Sequence, residues 1–249
     1  MLLTPVVLVT LAVATVATSF ISGILGMAGG MILMGVLLAL LPLPTAMMMH
    51  GIAQLAANGS RAFLLRKEIA WRVFAGYAAG AFLALALFVM AGLVADKATA
   101  LIAMGLAPFA ALALPAKLQL DVERRWHSFA CGALCQVFSL TAGVSGPLLD
   151  AFFVRSAMSR HAVIATKAIT QSLSHVMKIA YFGGVMAVAE AEVPAWVAAA
   201  TVLLAFTGTS LSRQVLERIS DAAFRNWTRW TVMALGAAYL ASGVATTLQ

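Results

Sequence analysis

Residues 22–35 read SGILGMAGGMILMG. They hold five glycines in fourteen residues, inside an apolar run that starts at Pro5 and meets no charge before Arg61. Glycine weakens a helix interior by about 1 kcal/mol relative to alanine, so the cluster needs a reason. A second stretch, SLTAGVSGPL at residues 139–148, supplies one. At a constant offset of 117 residues, Ser22 meets Ser139, Gly26 meets Gly143 and Gly29 meets Gly146. The register runs on without a gap for about 40 residues: Ile52 meets Ile169, Gln54 meets Gln171, Asn58 meets His175, and Arg61 meets Lys178. Apolar matches arise cheaply by chance in such a chain. Glycines and embedded polar residues falling in one register do not, so the chain is read as an internal repeat.

The class of protein follows from composition. Of 249 residues, 63% are hydrophobic and 10% charged, against about 25% charged in a soluble domain. Several apolar stretches reach the roughly 20 residues that cross a hydrocarbon core, and the alternating ten-residue pattern of a β-barrel is missing. An all-α polytopic membrane protein is expected, with apolar segments at 5–22, 30–42, 45–65, 72–94, 98–115, 127–142, 147–157, 161–183, 194–212 and 229–247. The second and seventh are short, which gives about eight long transmembrane helices plus two short broken or re-entrant ones. The first run lacks a basic leader, which argues against a cleaved signal peptide. A net charge of +7 gathers between apolar segments, as cytoplasmic loops do, and does not call for nucleic acid. Cys131 and Cys135 lie one helical turn apart in an apolar stretch and read as small buried side chains, with sulfur chemistry as the alternative. No cofactor or metal site is expected.

Loop charge sets the relation between the halves. The loop after the first polar helix carries Arg61, Arg66, Lys67 and Arg72, whereas its counterpart carries only Glu190 and Glu192. The next pair reverses: Asp96 and Lys97 in the first half, Arg213, Arg218, Arg225 and Arg229 in the second. Because basic loops face the cytoplasm, corresponding loops lie on opposite sides. Residues 1–115 and 127–249 are then two inverted-topology repeats of five segments each. The linker 116–126, with Lys117, Arg124 and Arg125, is cytoplasmic, and both termini lie outside. Such pairs of halves typify secondary transporters with a midplane site.

The glycines then mark helix breaks. Gly26, Gly29 and Gly30 separate a longer from a shorter helix, and Gly143, Ser145, Gly146 and Pro147 do the same in the second half. Proline suits the first helical turn, and Ser145 suits an N-cap. Short helices starting at 30 and 147 would offer free N–H groups and partial positive charge to an anion. The plainer reading of Gly26 and Gly30 is a G-x-x-x-G packing contact.

The helix after each break carries a polar stripe. His50, Gln54, Asn58 and Arg61 share one face within about 80° of arc, as do Lys167, Gln171, His175 and Lys178. A lysine at bilayer depth costs about 2.5–3.5 kcal/mol on insertion scales, so it faces a cavity or a partner, or reaches for the interface. The amides and His175 are substrate contacts or interhelical glue. Asp150 either carries a coupling proton or pairs with Lys167 or Lys178. His50 and His175 also titrate near neutrality.

SGILGMAGGMILMGVLL with its Pro-Thr-Ala helix entry, SLTAGVSGPLLDAFF and ATKAITQSLSHVMKIAYF together resemble the sulfite exporter TauE/SafE family. The resemblance covers most of the chain and implies a multi-pass bacterial inner-membrane protein. It also implies export of sulfite, an organosulfonate or a related small anion, with no catalytic residues. It places Gly26, Gly29, Gly30, Gly143, Gly146 and Pro147 on the path, together with Gln54, Asn58, Gln171, His175 and Lys178. One departure is Gly30, where proline is common and where the second half has Pro147. A coupling proton or sodium ion, surrounding lipid and a homo-oligomer are the partners compatible with this reading. Two alternatives stand beside a carrier: a passive anion channel, and a membrane sulfur-handling enzyme or assembly factor using Cys131 and Cys135. An ATP-driven pump is set aside, since the chain has no G-x-x-x-x-G-K-[ST] loop.

Overall fold

The computed structural model describes residues 4–25, 27–113, 120–185, 193–216 and 221–248. Gly26, Lys117, Glu190, Glu192 and Arg218 lie outside the described residues, as do the side chains of Arg213 and Arg225. Ten α-helices are described: α1 (Pro5–Leu25), α2 (Met27–Leu40), α3 (Leu43–Leu64), α4 (Trp71–Ala91), α5 (Lys97–Ala113), α6 (Arg125–Thr141), α7 (Gly146–Phe153), α8 (Arg160–Ala180), α9 (Ala195–Leu216) and α10 (Asp221–Thr247). A π-helical turn at Tyr181–Val185 extends α8.

Local chemistry explains most of the ends. Pro44 sits in the first turn of α3, where its missing N–H costs nothing. Gly92 closes α4 at φ +61°, the left-handed conformation that favours glycine. The Asp96 carboxylate accepts the Thr99 N–H at 2.7 Å and caps the start of α5, and the Ser159 hydroxyl accepts the Ala162 N–H at 3.2 Å at the start of α8. Four expectations need correction. The first short helix begins at Met27, not at residue 30. With no proline to mark the start, Gly29 and Gly30 are taken into its first turn. The second short helix opens at Gly146, one residue before the expected 147. Ser145 holds the N-cap position of α7, but its side chain makes no capping bond there. α10 begins at Asp221 rather than near 229, because its first two turns are charged and invisible to an apolar count.

Among the described residues, three helices are long and apolar enough to cross a membrane: α1, α4 and the Ala195–Ser212 part of α9. About a third or less of each is buried within the chain, and Val9, Val13, Phe82, Leu87, Leu203 and Phe206 stand exposed on their surfaces. An apolar perimeter of this kind is suited to lipid. Helices α2 and α5 are apolar but shorter. α3 and α8 carry the polar stripes and pack against each other, with His50, Asn58, His175 and Lys178 buried. The chain is thus a multi-pass membrane protein, all-helical among the described residues, with the polar helices α3 and α8 inside and the apolar helices α1, α4 and α9 at the perimeter.

The pairings repeat. α1 packs on α9 and α4 on α6; α2 packs on α10 and α7 on α5; α3 packs on α9 and α8 on α4. Exchanging each helix for its counterpart five places along the chain turns one member of each couple into the other. Two of these seams use glycines from both helices. A Cβ on Gly132 would meet the Tyr77 carbonyl carbon at 2.6 Å and one on Gly80 the Ala133 nitrogen at 2.8 Å; on the other seam Gly23 would meet Ser212 Cβ at 2.5 Å and Gly208 would meet Ser19 Cβ at 3.0 Å. Small residues let membrane helices approach this closely.

The connections gather at two ends. At one end Val122 N–H donates to Phe152 O at 3.1 Å, the Glu123 carboxylate accepts the Ala157 N–H at 2.7 Å, and Ala70 N–H donates to the Thr166 hydroxyl at 2.9 Å. This end carries Arg66, Lys67, Arg72, Arg124, Arg125, Arg155 and Arg160. At the other end Tyr181 OH donates to Leu93 O at 2.5 Å.

Candidate functional site

The chain leaves its helical path at two places, and these two places touch. Gly143 has φ +75°, a conformation that favours glycine, and releases the chain from α6 before α7 starts at Gly146. In the first half, α1 ends at Leu25 and α2 starts at Met27, with the Leu25 carbonyl accepting the Thr228 hydroxyl at 3.3 Å. A Cβ added to Gly146 would lie 2.6 Å from Met27 Cβ, so the two short helices begin against each other. Gly29 turns toward Thr18 and Ser22 of α1, leaving no room for a Cβ. Its role is close packing of α2 on α1.

A cavity of about 380 Å³ opens at this junction, within the usual range for small-molecule sites. Both helix starts line it, through Met27 and Gly146, and so do the amides Gln54, Asn58 and Gln171. Arg61, Arg160 and Lys167 bring positive charge, against one carboxylate, Asp150, which pairs with Lys167. Cations therefore outnumber the acid three to one. Among the described residues Arg61 has no ion-pair partner. Within this cavity Ser22 Oγ and Gln54 Nε2 are buried without a hydrogen-bond partner among the described residues. Buried polar atoms are normally bonded, so these two are available to water or a ligand. Just outside it, Ser19 and both polar atoms of Gln136 are unpartnered, as is Ser139. Ser19 and Gln136, and likewise Ser22 and Ser139, are 117 residues apart.

The rest of the polar stripe forms a separate cluster on the far side of the junction. Lys178 Nζ lies 2.8 Å from His50 Nδ1 and donates to Gly143 O at 2.8 Å. His50 Nε2 lies 3.0 Å from Gly30 O. The His175 ring stands edge-on to His50 at 5.7 Å. Lys178 is fully buried and His50 is 1% exposed, so Lys178 does not reach for an interface.

The predicted residues therefore divide. Gln54, Asn58, Gln171, Gly146, Asp150 and Lys167 meet in the cavity; His50, His175, Lys178, Gly30 and Gly143 meet in the sealed cluster; Ser145 and Pro147 are buried at the start of α7 without lining the cavity. Asp150 pairs with Lys167 and not with Lys178. Arg160 and Ser22 were not anticipated as lining residues. Arg160 lies seven residues before Lys167, on the same helical face, and Ser22 stands 117 residues before Ser139; both signals were present. Cys131 and Cys135 are free, buried thiols with sulfurs 3.9 Å apart, packed among Tyr77, Leu149 and Phe152.

The family model described as sulfite exporter TauE/SafE matches residues 11–239. No curated protein matches the chain, and no solved structure does.

Proposed function

The chain belongs to the sulfite exporter TauE/SafE family, a family of transporters and not of enzymes, and from that premise we propose how it works. It is a secondary transporter that exports a small anion, with sulfite or an organosulfonate first among the candidates. Its halves, residues 1–115 and 127–249, are inverted repeats joined by the cytoplasmic linker 116–126. The reciprocal helix pairings support that reading. Eight long helices cross the bacterial inner membrane; α2 and α7, about 21 and 12 Å long, are too short to span it alone and complete the fifth passage of each half with the connections at their ends. The basic end is cytoplasmic by its arginines and lysines, so the cavity belongs to the cytoplasmic side.

The observation that carries the proposal is the cavity itself. Two short-helix starts, three amides and an excess of cations converge where an anion would be held. Backbone N–H groups at the helix starts favour negative charge. Arg61, with Lys167, supplies positive charge at the cavity, and Gln54, Asn58 and Gln171 orient the ligand. A carrier is favoured over a channel because the buried His50–Lys178 cluster lies across the far side of the junction.

The test is counterflow of labelled sulfite in proteoliposomes, with taurine, sulfoacetate, sulfate and acetate as competitors. Transient uphill accumulation is expected, and the order of competition reads the pocket. Folded protein that gives no counterflow with any of these anions overturns the carrier reading.

A further inference from the structure

The sealed cluster has a property that follows from donor and acceptor chemistry alone. A carbonyl oxygen only accepts, so the contact with Gly30 O requires the hydrogen of His50 to sit on Nε2. The other nitrogen, Nδ1, then accepts from Lys178 at 2.8 Å, while a second Lys178 N–H goes to Gly143 O at 2.8 Å. The pair carries one charge or none in this arrangement. When Lys178 already carries its charge, a further proton on His50 Nδ1 puts an N–H of an imidazolium against an ammonium. The closed contact therefore excludes the doubly protonated pair.

The contact also joins both halves. His50 and Gly30 come from the first, Lys178 and Gly143 from the second, and the two carbonyls belong to α2 and to the α6–α7 break. Its repeat counterparts are Lys167, for His50, and Arg61, for Lys178. Those two line the open cavity, and Lys167 is held by Asp150. The same two positions are thus sealed in one place and open in the other. Only the sealed place holds an imidazole.

We propose that the His50–Lys178 pair is the proton-binding site of the carrier, and that adding a proton to His50 Nδ1 parts the two helix breaks and opens the far side. The inference rests on the carrier reading above. Once parted, both groups are cationic and face the space between the breaks, where an anion compensates them; proton and anion binding are linked in this way. The site is built for a proton and not for sodium. It presents nitrogens to its centre, and its two oxygens, the Gly30 and Gly143 carbonyls, are already taken. Among the described residues the neighbouring titratable groups are His175 on α8, whose Nδ1 has no partner, and Tyr181, bonded to Leu93 O. The described side chains of α1, α2 and α9 bring none.

The experiment compares wild type with His50→Gln in proteoliposomes. Glutamine keeps a donor and an acceptor but takes no proton. Labelled sulfite is followed in counterflow, which needs no net proton movement, and in accumulation driven by a pH gradient. With no proton to open the far side, the folded variant should lose both counterflow and gradient-driven accumulation by about tenfold or more, while sulfite still stabilises it against heat through the cavity residues it keeps. Accumulation that survives in His50→Gln overturns the proton site and leaves the carrier standing. Absence of counterflow in wild type overturns the carrier, and this inference with it. A second measurement needs neither substrate nor a well-behaved variant. Backbone hydrogen exchange of residues 141–146 in the wild-type protein should rise as pH falls from 8 to 5, after correction for intrinsic rates. A pH-independent profile overturns the proposal.

Discussion

Two regions of this molecule hold residues 117 positions apart in the chain and have opposite fates. At one, Lys178 and His50 are packed together and tied to the Gly143 and Gly30 carbonyls. At the other, Arg61 and Lys167 border an open cavity, with Asp150 beside Lys167. The chemistry differs with the geometry. The sealed region has no carboxylate in contact among the described residues, so its charge is limited by the shared hydrogen bond. In the open region the cations border a cavity, and Lys167 is paired with Asp150. The comparison teaches that positive charge is tolerated inside this bundle in two ways, by pairing with a carboxylate beside a cavity or by sharing a proton acceptor.

The comparison can be broken most sharply at the junction of the two helix starts. Gly146→Leu drives a side chain into Met27 and should abolish counterflow, with a stability loss of about 1–3 kcal/mol from overpacking. Retained flux in that variant would remove the junction from the path. Next in size is Arg61→Ala. Hydrogen bonds to charged groups are worth about 1.5–3 kcal/mol, so anion affinity should fall about 10- to 150-fold, read from competition curves. Lys167→Ala leaves Asp150 without its partner in the cavity. It should weaken anion binding more than the double change Lys167→Ala with Asp150→Ala, and the double-mutant cycle measures the difference. Cys131→Ser with Cys135→Ser should leave counterflow within about twofold of wild type, at a stability cost of about 1–3 kcal/mol for each unpartnered hydroxyl. Loss of activity in a folded double variant would return sulfur chemistry to the account. The smallest effect is expected at Asp96, in the α4–α5 connection. The Thr99 backbone N–H holds its carboxyl below the ordinary aspartate range. Its stabilising effect is therefore present above the unfolded pKa and lost as pH falls through the lower folded one. Asp96→Asn should lower the melting temperature slightly at pH 7, and the two proteins should converge in acid.

Much of the architecture was legible in the chain. The ten segments, the two short helices and the break at Gly143 follow from apolar run length and from glycine and proline chemistry. The polar stripes on α3 and α8 follow from spacing. These are local or periodic properties, and one helix at a time is enough to read them. The extra turns of α10 were hidden because a charged helical end resembles a loop to any count of apolar residues. The start of α2 was misplaced because glycine permits a break without demanding one.

Which stripe residues would meet was beyond the sequence. Lys178 and Lys167 are the same residue type on one helix face, eleven positions apart. One sits on the side of the junction where α3, α8 and both breaks close together, and the other sits where they stand apart. Spacing along a helix places side chains in direction but not in depth relative to a second helix, and it says nothing of which side of a crossing is packed. The composition, the 117-residue register of glycines and polar residues, and the faces were therefore properties of the sequence alone. The division into an open cavity and a sealed histidine–lysine pair was decided only by the tertiary packing, because it depends on how two helices cross.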